Sequence, residues 1–422
     1  MSSVLRDDIV TIFRAALERS HAGQALRSVL SLDGDYALTI GGQRLPVPPT
    51  GVYAIAVGKA AVEMMAAAEL ALGPSLVEGI AVTKQIPRYA SLRSTLLEGS
   101  HPIPDERSVT AGEAVLRFAE RIPTGSLVLC LISGGGSALV ELPRKGVTLA
   151  DIRDVTGILL RGGATIHEIN AVRSRLSQLK AGGLLSALRH ATVANVIVSD
   201  VLGDDPRSIA SGLSVPPTTG VDLDAILASY NVETPIPALP DHDERDIEPA
   251  LTVICASLSI AIDAAMHEAR RLGYEPFALS RSLSAEAREV GKVVGVLLRD
   301  AAAGATSLRL PCCVLLGGEM VVRVTGSGVG GRNSEAALSA AIALQGTPNA
   351  AVGFLATDGD DGVTGAAGAI VDGSTVAVGE TQAARESLQT NDSFSYLQSR
   401  NAPVVTGPTG TNVNDLIIAI AR

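Results

Sequence analysis

The chain has 422 residues, 46% hydrophobic and 18% charged, with a formal net charge of −10. That length exceeds what one hydrophobic core serves, so two domains are expected. The acidic balance, the absence of Trp and an aromatic content of 3% argue against nucleic acid or an acidic membrane surface as partner. No apolar run reaches the roughly 18 residues of a membrane span. The opening MSSVLRDDIVTIFRAALERS carries acids where a signal peptide is basic, so a cytoplasmic protein is expected. Cys130, Cys255, Cys312 and Cys313 lie in apolar runs without metal-ligand spacing and read as buried thiols.

Residues 3–30 read as one amphipathic helix and 38–46 as a hairpin. The run VYAIAV (52–57) reads as a buried strand that passes through Gly58-Lys59 into a helix. Ligands of α/β sheets gather at such strand ends, and a cation is disfavoured at a helix start unless an anion joins it. Lys59 is therefore a catalytic and substrate-binding candidate. The turn is not a Walker A motif, because Ala60 stands where Ser or Thr would hold magnesium. His101-Pro102-Ile103-Pro104-Asp105 forms a stiff turn in which Asp105 or Ser108 caps the next helix. His101 stays open between turn residue and substrate contact.

The strand 126–132 leads into Ser133-Gly134-Gly135-Gly136-Ser137. Consecutive glycines let backbone approach a bulky anion, and the two serines offer hydroxyl donors. A helix over 151–160 breaks at Gly162-Gly163, and a second runs from about 165 to 179. Its apolar face is Ile166, Ile169, Val172, Leu176 and Leu179; Asn170, Arg173 and Ser177 form a polar stripe with Lys180 nearby. Asn170 with Arg173 suits a small carboxylate. The strand 192–198 ends in Ser199-Asp200-Val201-Leu202-Gly203-Asp204-Asp205-Pro206, whose carboxylates suit Mg²⁺. Asp205-Pro206 reads as a helix cap, which leaves Asp200 the better functional candidate, with Asp204 beside it.

Six prolines (216, 217, 235, 237, 240, 249) and the run DHDERDIE mark a linker over about 215–250, around one short helix. The domains are expected at 1–235 and 250–422. The second opens with a strand (251–255), a helix to 272 and a helix from about 283 to 303. An apolar strand then meets Gly317-Gly318, read as the turn of an antiparallel hairpin with a partner at 320–324. Next come Gly326, Gly328, Gly330 and Gly331, then Arg332 opening an alanine-rich helix. The glycines satisfy G-x-G-x-x-G, but that fingerprint needs a parallel strand before it and an acid about 20 residues on. The hairpin, and Asp358 as the next well-placed acid, weigh against nicotinamide. An oxyanion-holding loop, with Arg332 as a two-pronged donor, fits better. The strand 352–356 ends in Thr357-Asp358-Gly359-Asp360-Asp361-Gly362, which lacks the spaced ligands of an EF-hand. The tail carries TGPTGTNVNDL and closes on the apolar IIAIA.

Together these segments resemble the glycerate 2-kinase family with a MOFRL carboxyl domain. The matching pieces, in order, are GKA at Lys59, HPIPDE, LISGGGSAL, INAVRSRLSQLKAGGL, SDVLGDDP, GGE at 317–319, GSGVGGRN, TDG, NDS and TGPTGTNVNDL. Leu213, Met320 and Ala356 depart from the family pattern, which has Pro, Thr and Gly there. The resemblance implies two α/β domains, the first Rossmann-like and the second a mixed-sheet MOFRL domain, with the active site in the cleft between them. It implies ATP- and Mg²⁺-dependent phosphorylation of D-glycerate to 2-phosphoglycerate. Lys59, Asn170, Arg173 and Arg332 would bind substrate, and Lys59, Arg332, Asp200 and Asp358 would be catalytic. Ser133, Gly134, Gly135, Gly136, Ser137, Gly328, Gly330, Gly331, Glu319, Asn412 and Asn414 would hold the nucleotide, and Asp200, Asp204 and Asp358 the metal. A homodimer is left open. The alternatives are a hydroxypyruvate reductase using a nicotinamide cofactor, and a non-catalytic sugar-acid sensor.

Overall fold

Aliphatic residues fill nearly every position of 52–57, 127–132 and 192–198, as strands covered on both faces require. The structure, a computed structural model, describes residues 3–34, 37–88, 90, 92–216, 222–232, 234 and 247–422. The chain divides into two units, the first Ala22–Cys255 and the second Met1–His21 with Ala256–Arg422.

In the first unit β1 (Leu30–Asp33), β2 (Ala37–Ile40) and β3 (Gln43–Pro46) form a small antiparallel sheet. Gly41 and Gly42, both at positive φ, make the expected hairpin turn. The larger sheet holds β4 (Val52–Val57), β5 (Leu76–Thr83), β6 (Thr95–Glu98), β7 (Leu127–Ile132), β8 (Thr192–Val198) and β9 (Leu251–Ala256). Its order is β6-β5-β4-β7-β8-β9, and β4 to β8 pair in parallel. This is the Rossmann order, which reverses direction between β4 and β7. The strand expected to open the second domain is thus an edge of the first sheet. Asn195 Nδ2 ties it there, donating to Thr252 Oγ1 (3.1 Å) and to Ser214 O (2.9 Å). The short helix of the linker, Leu223–Ser229, packs Ile226 against Ile169, Val172 and Leu176. Pro217, Pro235, Pro237, Pro240 and most of DHDERDIE lie outside the described residues.

The second unit holds β10 (Glu275–Leu283), β11 (Cys312–Gly318), β12 (Ala350–Ala356), β13 (Gly368–Asp372), β14 (Pro403–Val404) and β15 (Asp415–Ala421). The order is β10-β11-β15-β12-β13-β14. β10 and β11 are parallel and the other pairs antiparallel, so this sheet is mixed as expected. The hairpin at Gly317-Gly318 does not form. Both glycines lie inside β11, and 320–324 contributes only a bridge from Val321 to Glu286. They permit close approach rather than a turn: a Cβ on Gly318 would fall 2.0 Å from Leu283 O, and one on Gly317 would fall 2.6 Å from Leu258 Cδ1. Residues 275–283, expected neither as strand nor as sheet edge, form β10, and the helix after it is Ala287–Ala302.

The single helix expected over 3–30 is two, Ser3–Ser20 and Ala22–Val29, and they belong to different units. Ser20 Oγ bonds back to Ala16 O (2.8 Å), a pattern that weakens and bends helices. Ile9, Ile12 and Phe13 bury the first of them in the second unit. There Thr411 Oγ1 donates to Ser20 O (2.7 Å) and Ile9 covers Gly353 of β12. All four cysteines are free and buried, and no described helix is long and apolar enough to cross a membrane.

Candidate active site

In the first unit the loops after β4 and β7 lock together at the point where strand order reverses, which is where ligands of open α/β sheets bind. Ser133 N donates to Val57 O (2.9 Å), Lys59 N to Gly134 O (2.9 Å) and Ala60 N to Ser133 Oγ (3.1 Å). Gly58, at φ +135°, has no room for a side chain because Ser133 fills it. Gly135, at φ +83°, brings the loop beneath Lys59 and His101: a Cβ there would lie 3.2 Å from Lys59 Cγ and 3.1 Å from His101 Cδ2. Lys59 is exposed, and its ammonium makes no ion pair among the described residues. His101, half-buried, has its pKa pushed down to about 4, first by burial and then by the charges of Lys59 and Lys84. It is a neutral imidazole at physiological pH. Asp105 and Ser108 form the capping box of the next helix, Glu106–Arg121.

Asp200, at the end of β8, lies against the same loop; a Cβ on Gly134 would reach to 1.9 Å from its Oδ2. Asp204 follows in a left-handed turn (φ +55°). The helix expected at Asp205-Pro206 is a turn, in which Asp205 accepts from Arg207 N and Nε. Among the described residues no three His, Cys, Asp or Glu side chains gather as a metal site.

The serines of the loop differ. Ser137 Oγ lies 2.8 Å from Ser211 Oγ, and Ser211 Oγ donates to Asn170 Oδ1 (3.0 Å). A hydroxyl has one proton, so Ser137 must spend its own on Ser211. Of the two hydroxyl donors expected here, only Ser133 keeps its proton. Asn170 and Arg173 stand one turn apart on the helix Ile166–Leu176, while Ser177 is its C-cap rather than part of the helical stripe. Below them Lys180 and Glu141, 1% and 0% exposed, form a buried ion pair.

In the second unit Arg332 opens the helix Arg332–Leu344. Its Nε and Nη2 donate to Asp415 Oδ2 (2.5 Å) and Oδ1 (2.9 Å), and Asn333 Nδ2 donates to Asp415 Oδ1 (2.9 Å). Burial alone would lower the arginine's pKa. The hydrogen bonds and charge of Asp415, with the charges of Asp361 and Asp358, reverse that and raise it.

The positive end of this helix, expected to hold a phosphate, already holds a carboxylate. Asp361 accepts from Asn333 N (2.8 Å), Ser334 N (2.8 Å) and Ser334 Oγ (2.5 Å). Burial nevertheless raises the pKa of Asp361. The glycine loop is also internally engaged: Gly326 N donates to Asn391 Oδ1, Gly328 N to Thr390 O and Val329 N to Asp392 Oδ1. Side chains at Gly326, Gly328 and Gly330 would collide with Thr390, Asp392 and Ser393, and one at Gly331 with Asp361. These glycines serve packing against 390–393, and only the amides of Gly330 and Gly331 carry no such bond among the described residues.

Asp358 is half-buried, with Oδ1 accepting from Asp360 N (3.0 Å). Asn412 Oδ1 accepts from Asn414 N (3.2 Å), and Asn414 O accepts from Thr357 N (3.1 Å) and Oγ1 (2.6 Å), so both asparagines shape the turn beside Asp358. Glu319 is exposed at the end of β11. Sequence reasoning missed Ser211, Asp361 and Asp415, although Asp415 lies in the TGPTGTNVNDL segment and opens an otherwise apolar strand.

The fold and these two clusters define a two-unit α/β protein with cations and carboxylates at strand ends. Residues 8–240 match the family described as a domain of unknown function, DUF4147. Residues 312–415 match the MOFRL family. The chain is 39% identical to a D-glycerate 2-kinase of Thermotoga maritima, over 87% of this chain and 90% of that protein. It is also 39% identical to a glycerate 2-kinase of Pyrococcus horikoshii, over 87% of each. A crystal structure of glycerate kinase from Thermotoga maritima superposes with a TM-score of 0.87 and 35% identity, covering 99% of this chain and 100% of that one. The chain belongs to the glycerate 2-kinase family with a MOFRL domain.

Proposed function

We propose that this protein transfers the γ-phosphoryl group of ATP to the 2-hydroxyl of D-glycerate, giving 2-phosphoglycerate. The observation that carries this reading is Lys59 held over the Ser133–Ser137 loop at the switch point of a Rossmann-ordered sheet. Phosphoryl transfer asks a protein mainly for positioning and charge neutralisation. Lys59 supplies a cation to the substrate and the transferring phosphoryl group. Ser133 and the loop backbone hold phosphate oxygens. Asn170 and Arg173 bind substrate from the same unit. The second unit carries its own candidates, Arg332 for phosphate charge and Gly330, Gly331, Glu319, Asn412 and Asn414 for the nucleotide.

Mg²⁺ takes one or two carboxylates and fills its remaining positions with water and substrate phosphates. Asp200 against the phosphate loop, with Asp204 beyond it, fits that demand, and so does the second oxygen of Asp358. Bound there, the ion would neutralise phosphate charge. The four free thiols accord with a cytoplasmic location.

A relative in Agrobacterium vitis, 38% identical over 88% of each chain, carries a provisional hydroxypyruvate reductase name. The internal bonding of the glycine loop weighs against a nicotinamide site. The test is purified protein with D-glycerate, ATP and Mg²⁺, read through enolase without phosphoglycerate mutase. Signal without mutase supports the 2-kinase, and signal only with mutase would move the phosphoryl group to the 3-hydroxyl. Silence in both, with hydroxypyruvate-dependent NADH oxidation, would replace the kinase by a reductase.

A further inference from the structure

Ala210 and Ser211 are consecutive non-glycine residues in the left-handed region, at φ +49° and +56°. Each such residue costs free energy, and the surroundings must enforce it. Here the enforcement is visible: Ala181 N donates to Ser211 O (2.9 Å) and Gly182 N to Gly212 O (2.8 Å). Ala181 follows Lys180, whose buried ammonium pairs with Glu141. The strained turn sets the Ser211 hydroxyl between Ser137 and Asn170.

That placement fixes the Asn170 amide. Its oxygen is consumed by Ser211, so its Nδ2 is the group left over, and Nδ2 is buried with no partner. A buried amide donor left unpaired is costly and calls for a ligand. One turn along the helix, the Arg173 guanidinium makes no hydrogen bond or ion pair among the described residues. Burial lowers its pKa, opposed by the charge of Glu141. An orphan amide donor and an unmatched guanidinium at i and i+3 share one helical face. Together they ask for a small planar anion.

We infer that Ser211 is the positioning residue of a carboxylate subsite formed by Asn170 and Arg173, and that this subsite takes the carboxylate of the 2-hydroxy acid. The inference rests on the kinase reading only for the identity of that acid. A phosphate oxygen of the nucleotide has the same donor needs, and the test separates the two.

The experiment is calorimetric titration of the full chain with D-glycerate, and separately with inorganic phosphate, alongside kinetics with D-glycerate and its uncharged amide. Wild type should bind D-glycerate in preference to phosphate. Arg173→Met should weaken glycerate binding about 100-fold, and Ser211→Ala and Asn170→Leu about 10-fold, with the KM for ATP unchanged. In Arg173→Met the preference for glycerate over its amide should collapse, and Arg173→Lys should restore part of it. A merely structural role would not move that ratio. Unchanged glycerate binding in Arg173→Met and Ser211→Ala, or a rise in the KM for ATP alone, would overturn the subsite even if the enzyme remains a kinase. Glycerate binding that Arg173→Met abolishes, in a protein without kinase activity, would support the subsite and remove the kinase reading.

Discussion

Arg332 and Asp415 are joined by two hydrogen bonds of 2.5 and 2.9 Å, and the carboxylate is 1% exposed at the first position of the central strand β15. The pair fixes the guanidinium by its Nε edge and leaves Nη1 without a partner among the described residues. Asp415→Asn keeps the shape and removes the charge. It is expected to lower kcat at least 10-fold while the KM for D-glycerate changes less, because the arginine loses its orientation. Arg332→Lys should not recover activity, since an ammonium cannot make the forked contact. Steady-state kinetics of both variants checks this. Wild-type kcat in either would show that the pair is only structural.

Lys59 is exposed and makes no ion pair among the described residues, so its removal should leave stability within about 0.5 kcal/mol of wild type. Lys59→Met is expected to lower kcat/KM by about 10³, in line with losses seen when a cation on a transferring phosphoryl group is removed. A melting curve paired with the enolase-coupled rate decides it. Retained turnover would remove Lys59 from the reaction.

His101 titrates at about 4 rather than its ordinary 6.5, because burial and then Lys59 and Lys84 disfavour its charged form. An unfolded chain takes up that proton first as pH falls, so the folded state loses stability between pH 6.5 and about 4. Above 6.5 the contribution is fully present. His101→Gln should flatten this part of the stability profile. Urea unfolding across that window measures it, and an unchanged slope would refute the assignment.

Lys180 and Glu141 are buried together beneath the helix that carries Asn170 and Arg173. Breaking such a pair from one side leaves an uncompensated charge and costs about 3–5 kcal/mol. Lys180→Met alone should therefore destabilise more than Lys180→Met combined with Glu141→Leu. Denaturant unfolding of single and double variants tests the order.

Strand ends proved legible where residue type dictated them. The apolar runs 52–57 and 127–132 are central strands because nothing else satisfies their uniform hydrophobicity, and Lys59 and Ser133 follow from them. Gly317-Gly318 was misread because a glycine pair looks the same in sequence whether it turns the chain or admits Leu283 O at close range. The helix start at Arg332 was visible, but not that Asp361, some thirty residues on, would occupy its free amides. Ser137 could not be told from Ser133, since the difference lies in Ser211, a residue brought in by the chain's return after β8. Local chemistry was readable; partners supplied from afar were not.

The first helix and the last strand belong to one unit, while Ala22–Cys255 forms the other. The helix Ser3–Ser20 is made before Ala22–Cys255, yet its sheet is completed only after that unit, because β15, the strand between β11 and β12, follows it in the chain. The unit in between can collapse as soon as it leaves the ribosome. Through that interval the helix Ser3–Ser20 lacks the sheet against which Ile9, Ile12 and Phe13 are buried in the finished fold.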